Sequence, residues 1–114
     1  MRRKLEILKE VRKAYRKTKR PIWKTVCEIL ESSRRRERVV NVSKLDKLVP
    51  NDAYVVVPGK VLGFGLISKK VTVGALDFSA SAMEKIKKAG GKALYLDKFA
   101  KKYGKKGGLI LIGG

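Results

Sequence analysis

Tyr54-Val55-Val56-Val57-Pro58-Gly59-Lys60-Val61-Leu62-Gly63-Phe64-Gly65, followed by Val71-Thr72-Val73-Gly74-Ala75-Leu76, is the stretch on which the fold turns. Tyr54 to Val57 is apolar and β-branched, the composition of a strand. Pro58-Gly59 carries the signature of a type II turn and is expected to stop that strand. Val61-Leu62 then continues extended into a loop at Gly63-Phe64-Gly65, and Val71 to Leu76 forms a second strand.

Downstream, strands and helices alternate. Ser81 with Glu84 three residues on reads as a capping box. It opens a helix that buries Ala82, Met83, Ile86 and Ala89, and Gly90 ends it. Ala93 to Leu96 is a strand. Asp97 caps a helix carrying Phe99, Ala100 and Tyr103; Lys105 to Gly108 is a loop, and Leu109 to Ile112 a last strand. Upstream, Val39, Val40 and Val42 read as a short strand. Ser43 and Asp46 form a second capping box opening a helix through Leu48, and Pro50-Asn51-Asp52 is turn chemistry. Short strands alternating with short helices define an α/β domain. These strands are too short, and their connections too tight, for a doubly wound nucleotide-binding sheet.

The first third differs in kind. Ile7, Leu8, Val11, Ala14 and Tyr15 form the apolar stripe of one helix. Ile22, Trp23, Val26, Cys27, Ile29 and Leu30 repeat it in a second, for which Pro21 suits the first position. Ser32-Ser33 and Arg34-Arg35-Arg36 end that helix. All nine arginines lie in residues 1–38 and all 11 glycines from Gly59 onward. Residues 1–38 hold 15 basic against 5 acidic groups, and residues 39–114 hold 14 against 5, so the first segment is about twice as densely charged. The reading is a basic helical N-terminal arm, 1–38, and a compact α/β body, 39–114, in one domain overall.

Charge narrows the function. The chain carries 29 Lys and Arg against 10 Asp and Glu, a net +19 over 114 residues. Such an excess repels itself and makes sense when a polyanion balances it. At 44% apolar residues the chain can still build a core and is not a disordered basic tail. One cysteine excludes an intrachain disulfide. Charges interrupt any leader-like apolar stretch after Met1, and no run is long enough to span a membrane, so the expected location is the cytosol. The chain lacks Gln and has only Asn41 and Asn51 as amides, which with abundant Lys is a composition reported for heat-adapted proteins.

Catalysis has little to work with. There is no His for proton transfer near neutral pH. Cys27 sits in an apolar stripe and reads as a small buried hydrophobe, with no base to activate it. Ligands for a metal are too few. No enzyme activity, cofactor or metal is expected. Gly63-Phe64-Gly65 admits three readings: a phosphate-cradling loop lacking its third glycine and following helix, a tight turn, or bare backbone that RNA approaches closely.

The cations are the candidate site. Arg34, Arg35, Arg36 and Arg38 form the sharpest cluster, answered only by Glu31 and Glu37. Guanidinium forks match phosphate oxygens and stack on bases. Arg2, Arg3, Arg12, Arg16, Lys19, Arg20 and Lys24 extend this basic character over both helices. Arg12 and Arg16, like Lys13 and Lys17, stack at i,i+4, a repulsion that a phosphate beside the helix would reverse. Trp23 is either core or a base-stacking platform. Lys69-Lys70 and Lys105-Lys106, in expected turns, read as loop contacts to phosphate.

Several stretches in order resemble one family. Arg20-Pro21-Ile22-Trp23, Arg34-Arg35-Arg36, Val40-Asn41-Val42-Ser43-Lys44-Leu45 and Val55 to Gly63 are similar to large-subunit ribosomal protein eighteen of archaea and eukaryotes. Phe78-Ser79 with Ala82, Ile86 and Ala89-Gly90-Gly91 resembles the segment that family shares with bacterial large-subunit protein fifteen. The resemblance runs from about residue 5 to 112. It implies an irregular superhelix of strand–strand–helix units behind a helical N-terminal segment, and a non-catalytic role in binding large-subunit RNA beside neighbouring ribosomal proteins. It also implies RNA contacts at Arg20, Trp23, Arg34 to Arg36 and Lys60. Phe64 and Gly104-Lys105-Lys106-Gly107 depart from the family's pattern. The chain lacks the long basic C-terminal tail of eukaryotic members and looks archaeal. The expected protein is a structural, RNA-binding constituent of the large ribosomal subunit, cytoplasmic, neither membrane-bound nor a homo-oligomer, with no small-molecule substrate. A basic DNA-compacting protein is the alternative, separable by a helix-turn-helix or dimer interface.

Overall fold

Val55, Val56 and Val57 are each fully shielded from solvent, so the strand that carries them is covered on both faces. A run apolar at successive rather than alternate positions marks a parallel strand lying between two helical layers. The computed structural model describes residues 2–32 and 38–113, with side chains from Leu5 onward. In chain order its elements are α1 (Arg2–Thr18), α2 (Pro21–Ser32), β1 (Val39–Asn41), α3 (Val42–Leu48), β2 (Ala53–Leu62), β3 (Val71–Phe78), α4 (Ala80–Lys88), β4 (Lys92–Tyr95), α5 (Leu96–Tyr103) and β5 (Ile110–Leu111).

All the strand pairings are parallel, in the order β1-β2-β3-β4. β2 is the centre. β3 runs along one edge of it, while β1 pairs with Lys60–Leu62 and β5 with Val55–Val56 along the other. Parallel neighbours need a long return, usually a helix. Between β2 and β3 the return is the extended segment 63–70 instead. Asp46 Oδ1 accepts from the backbone N–H groups of Ser68 (3.0 Å) and Lys69 (3.1 Å), and the Lys85 ammonium donates to the carbonyls of Gly63 and Gly65, both at 2.6 Å.

One face of the sheet packs Val55, Val57, Val73 and Ala75 against Val42 and Leu45 of α3 and Ala82 and Ile86 of α4. The opposite face packs Val56 and Leu76 against α1 (Ile7, Val11), α2 (Trp23, Val26, Leu30) and α5 (Leu96, Phe99). Burying each of these larger side chains stabilises the fold by about 1.5–3 kcal/mol. Gly74 makes room for Phe99: a Cβ there would lie 2.4 Å from the ring's Cγ.

The α/β class and the helical N-terminal segment are as the sequence implies, and Gly90 (φ +88°) closes α4. Several local readings need correction. Pro58-Gly59 does not stop the strand; β2 runs through it to Leu62, and the pairing with β3 shifts register between Val57 and Lys60. The proline lacks an N–H to give a ladder, so the shift falls where the ladder is already interrupted. Asn41, not Ser43, precedes α3, and the Asp46 carboxylate is taken by the crossover segment. Ser79, not Ser81, caps α4, accepting from the Ala82 N–H at 3.1 Å. Asp97 lies inside the first turn of α5 rather than capping it, and its Oδ1 is buried without a hydrogen bond.

Candidate nucleic-acid interface

No charged side chain is buried among the described residues, so the cations there are carried at the surface or at its edge. The topology sorts those read from the sequence into three places. Strands in a parallel sheet all begin at one end. The turns before β3 and β5 therefore bring Lys69, Lys70, Lys105 and Lys106 to that end from distant parts of the chain. Lys106 lies over the Tyr54 ring, 4.4 Å from its centroid. Lys70 and Lys105 are exposed. Lys69 is half-buried and its ammonium donates to the Val49 carbonyl at 2.8 Å, so this side chain is already engaged within the protein.

A second group lies where β1 joins the C-terminal half of β2. Lys60 N–H donates to the Arg38 carbonyl at 2.7 Å, and the Arg38 guanidinium reaches towards Gly113, whose carbonyl accepts from the Lys44 ammonium at 3.3 Å. Gly59 permits this approach: a Cβ there would lie 2.1 Å from the Arg38 oxygen. The Lys60 ammonium faces Asp77 at 3.9 Å.

The third group follows α1 and α2. Arg12 reaches across to Glu31 in an exposed ion pair, while Arg16, Lys19, Arg20 and Lys24 are exposed. Lys19 holds φ +58° and turns α1 sharply into α2. That left-handed conformation costs a non-glycine residue about 1–2 kcal/mol. Arg2 and Arg3 lie in α1 with side chains outside the described set, and Arg34, Arg35 and Arg36 lie outside the described residues.

Trp23 is corrected from the stacking role to the core. It has no exposed surface, its ring packs against Phe99 with centroids 6.4 Å apart, and its Nε1 donates to the Gly104 carbonyl at 2.9 Å. No base can reach it without unfolding this face. Cys27 is buried as expected, and burial, then the nearby Glu31 carboxylate, pushes its thiol up from the ordinary value. Asp46 is held below its ordinary value by the backbone N–H groups of Ser68 and Lys69.

Sequence reasoning missed a fourth cationic place. A groove of about 470 Å³ runs between α1 and α5, lined by Lys13 and Lys17 on one side and Lys101, Lys102 and Lys105 on the other. The i,i+4 pair Lys13/Lys17 was a visible signal. That it faces α5 depends on helix packing, which no spacing within α1 reveals. Among the described residues no group of three or more His, Cys, Asp or Glu comes together to hold a metal. No described helix is long and apolar enough to cross a membrane.

Fold and surface together define a class: a small, strongly basic α/β protein whose parallel sheet is buried between helices and whose described cations lie at the surface or its edge. Residues 24–94 match the family model that describes ribosomal proteins 50S-L15 and 50S-L18e together with protein twenty-seven A of the 60S subunit. The chain is 46% identical over 96 residues to the large ribosomal subunit protein eL18 of Archaeoglobus fulgidus, covering 84% of this chain and 82% of that one. It is 52% identical over 82 residues to the protein of that name from Sulfurisphaera tokodaii (72% and 70% covered), and 37% identical over 102 residues to that from Pyrobaculum aerophilum (90% and 84%). The chain belongs to this eL18 family of large-subunit ribosomal proteins, whose members are structural proteins of the ribosome and not enzymes.

Proposed function

We propose that the protein is a structural constituent of the large ribosomal subunit in the cytoplasm. It binds ribosomal RNA by neutralising phosphates and fitting the RNA's shape, as a single copy among neighbouring ribosomal proteins. The observation that carries this reading is the convergence at one end of the sheet. Lys70, Lys105 and Lys106, from loops far apart in sequence, meet there beyond a core that holds no charge among the described residues. Lysine in such a place is a hydrated point charge suited to phosphate. Arg2, Arg3, Arg12, Arg16, Lys19, Arg20, Lys24, Arg34, Arg35, Arg36, Arg38 and Lys60 extend the contact surface. Lys69 acts there through its position, since its ammonium is engaged by Val49. Phe64 (77% exposed) and Leu66 (82%), held out on the crossover segment, suit a neighbouring protein.

The test replaces Arg34, Arg35 and Arg36 together by Ala. The variant should keep its circular dichroism spectrum, lose most of its affinity for large-subunit RNA, and fail to sediment with the large subunit on a sucrose gradient. About three fewer phosphate contacts would lower the salt slope of log K by roughly 2 to 3. Unchanged affinity at moderate salt removes these arginines from the interface. Equal competition by duplex DNA and structured RNA would favour a DNA-compacting role instead.

A further inference from the structure

We propose that the groove between α1 and α5 seats the sugar–phosphate backbone of a ribosomal RNA strand, an inference that rests on the RNA-binding reading above. Five lysines line it, and the single carboxylate among its lining residues is Glu10. Glu10 is shared between two of them, 3.6 Å from the Lys13 ammonium and 3.9 Å from that of Lys101. Lys17, Lys102 and Lys105 have no carboxylate partner among the described residues. The groove thus holds an uncompensated charge that the free protein has no means to neutralise internally.

The floor is rigid. Trp23 Nε1 fixes the Gly104 carbonyl, and Gly104 lies against Ala14, where an added Cβ would come within 3.5 Å of the alanine's own. The core therefore sets the separation of α1 and α5 and holds the lysines in two facing rows. Small-molecule sites are lined mainly by apolar and aromatic side chains. This lining is lysine, threonine, glycine, alanine and the one glutamate, with no aromatic ring. A membrane surface would require bulky apolar residues beside the charges, on a convex face. A row of phosphates matches two rows of exposed ammonium groups, whose long stems let the heads follow it.

The test compares two triple variants of the full chain that remove equal charge. One carries Lys17→Gln, Lys102→Gln and Lys105→Gln; the control carries Lys47→Gln, Lys87→Gln and Lys92→Gln, all exposed and outside the groove. Gln keeps helix propensity close to that of Lys. Binding to transcribed large-subunit RNA of Archaeoglobus fulgidus is followed against salt. The groove variant should lose about tenfold or more in affinity at moderate salt, with the slope of log K falling by about 2 to 3, and the control distinctly less. On the wild-type complex, RNA should shield Lys17, Lys102 and Lys105 from acetylation while Lys87 and Lys92 still react. Equal losses in the two variants, or full acetylation of the groove lysines in the complex, would overturn the groove while leaving RNA binding intact. A wild-type chain that fails to bind the RNA at low salt would instead overturn the RNA-binding reading, and the groove with it.

Discussion

The two faces of the sheet use charge in opposite ways. On the α3/α4 face, polar groups hold the protein together: Lys85 clamps the carbonyls of Gly63 and Gly65, Lys69 binds that of Val49, and Asp46 and Asn51 accept from the segment leading into β3. On the α1/α2/α5 face the core is closed by aromatic packing of Trp23, Phe99, Tyr54 and Tyr103, and of the five lysines lining the groove above it only Lys13 and Lys101 meet a carboxylate, the shared Glu10. The difference has a physical origin. The α3/α4 face is crossed by a return without helix, whose backbone groups must find partners outside a regular ladder. The other face is covered by helices that satisfy their own backbone, so their cations are not needed to hold backbone groups of a crossing segment. A count of lysines in this chain is therefore not a map of its RNA contacts.

The largest effect expected from breaking this contrast is at Trp23. Trp23→Ala removes the side chain that closes the helical face and the partner of the Gly104 carbonyl, and should cost about 3–5 kcal/mol in denaturant unfolding. A loss under about 1 kcal/mol would mean that α1 and α2 are only loosely joined to the sheet.

Next is Lys85→Met, which keeps the stem and deletes two charge-assisted hydrogen bonds. Each such bond contributes about 1.5–3 kcal/mol when well formed. The variant should be destabilised by about that much, with faster amide exchange confined to residues 63–70 and little change in RNA affinity. A large affinity loss without destabilisation would move Lys85 from the structural set to the binding set.

The smallest effect concerns pH. The Asp46 carboxyl sits below its ordinary value of 3.8 in the folded protein, so its contribution is present above that value and is lost as pH falls through the lower, folded one. Asp46→Asn should therefore be less stable than wild type at neutral pH, and the gap should close as the pH falls through the lowered, folded value. A gap that persists in acid would show that shape, not charge, holds the crossover segment.

Much of this was legible in the sequence. The 3.6-residue stripes gave α1 and α2, the valine runs gave β2 and β3, and the phase of the apolar residues identified Cys27 as core. Local readings failed where a partner from elsewhere in the chain decided the outcome. Pro58-Gly59 has the chemistry of a turn, yet Val61 pairs with both Val40 and Phe78 and the strand carries on. Ser43 and Asp46 have the spacing of a capping box, yet the N–H groups of Ser68 and Lys69 claim the carboxylate. Ser81 and Glu84 have it too, but Ser79, two residues earlier, is the one that caps.

Composition and periodicity by themselves determined the α/β class, the net charge of +19 and hence the need for a polyanion, because those properties are sums over residues or repeats along one element. Only the tertiary structure decided that Trp23 is unreachable, that Lys69 is occupied, and that lysines from α1 and α5 face each other across one groove. Each of those depends on which segments, far apart in the chain, pack together, and packing is settled by shape and burial across the whole core rather than by any spacing within a single element.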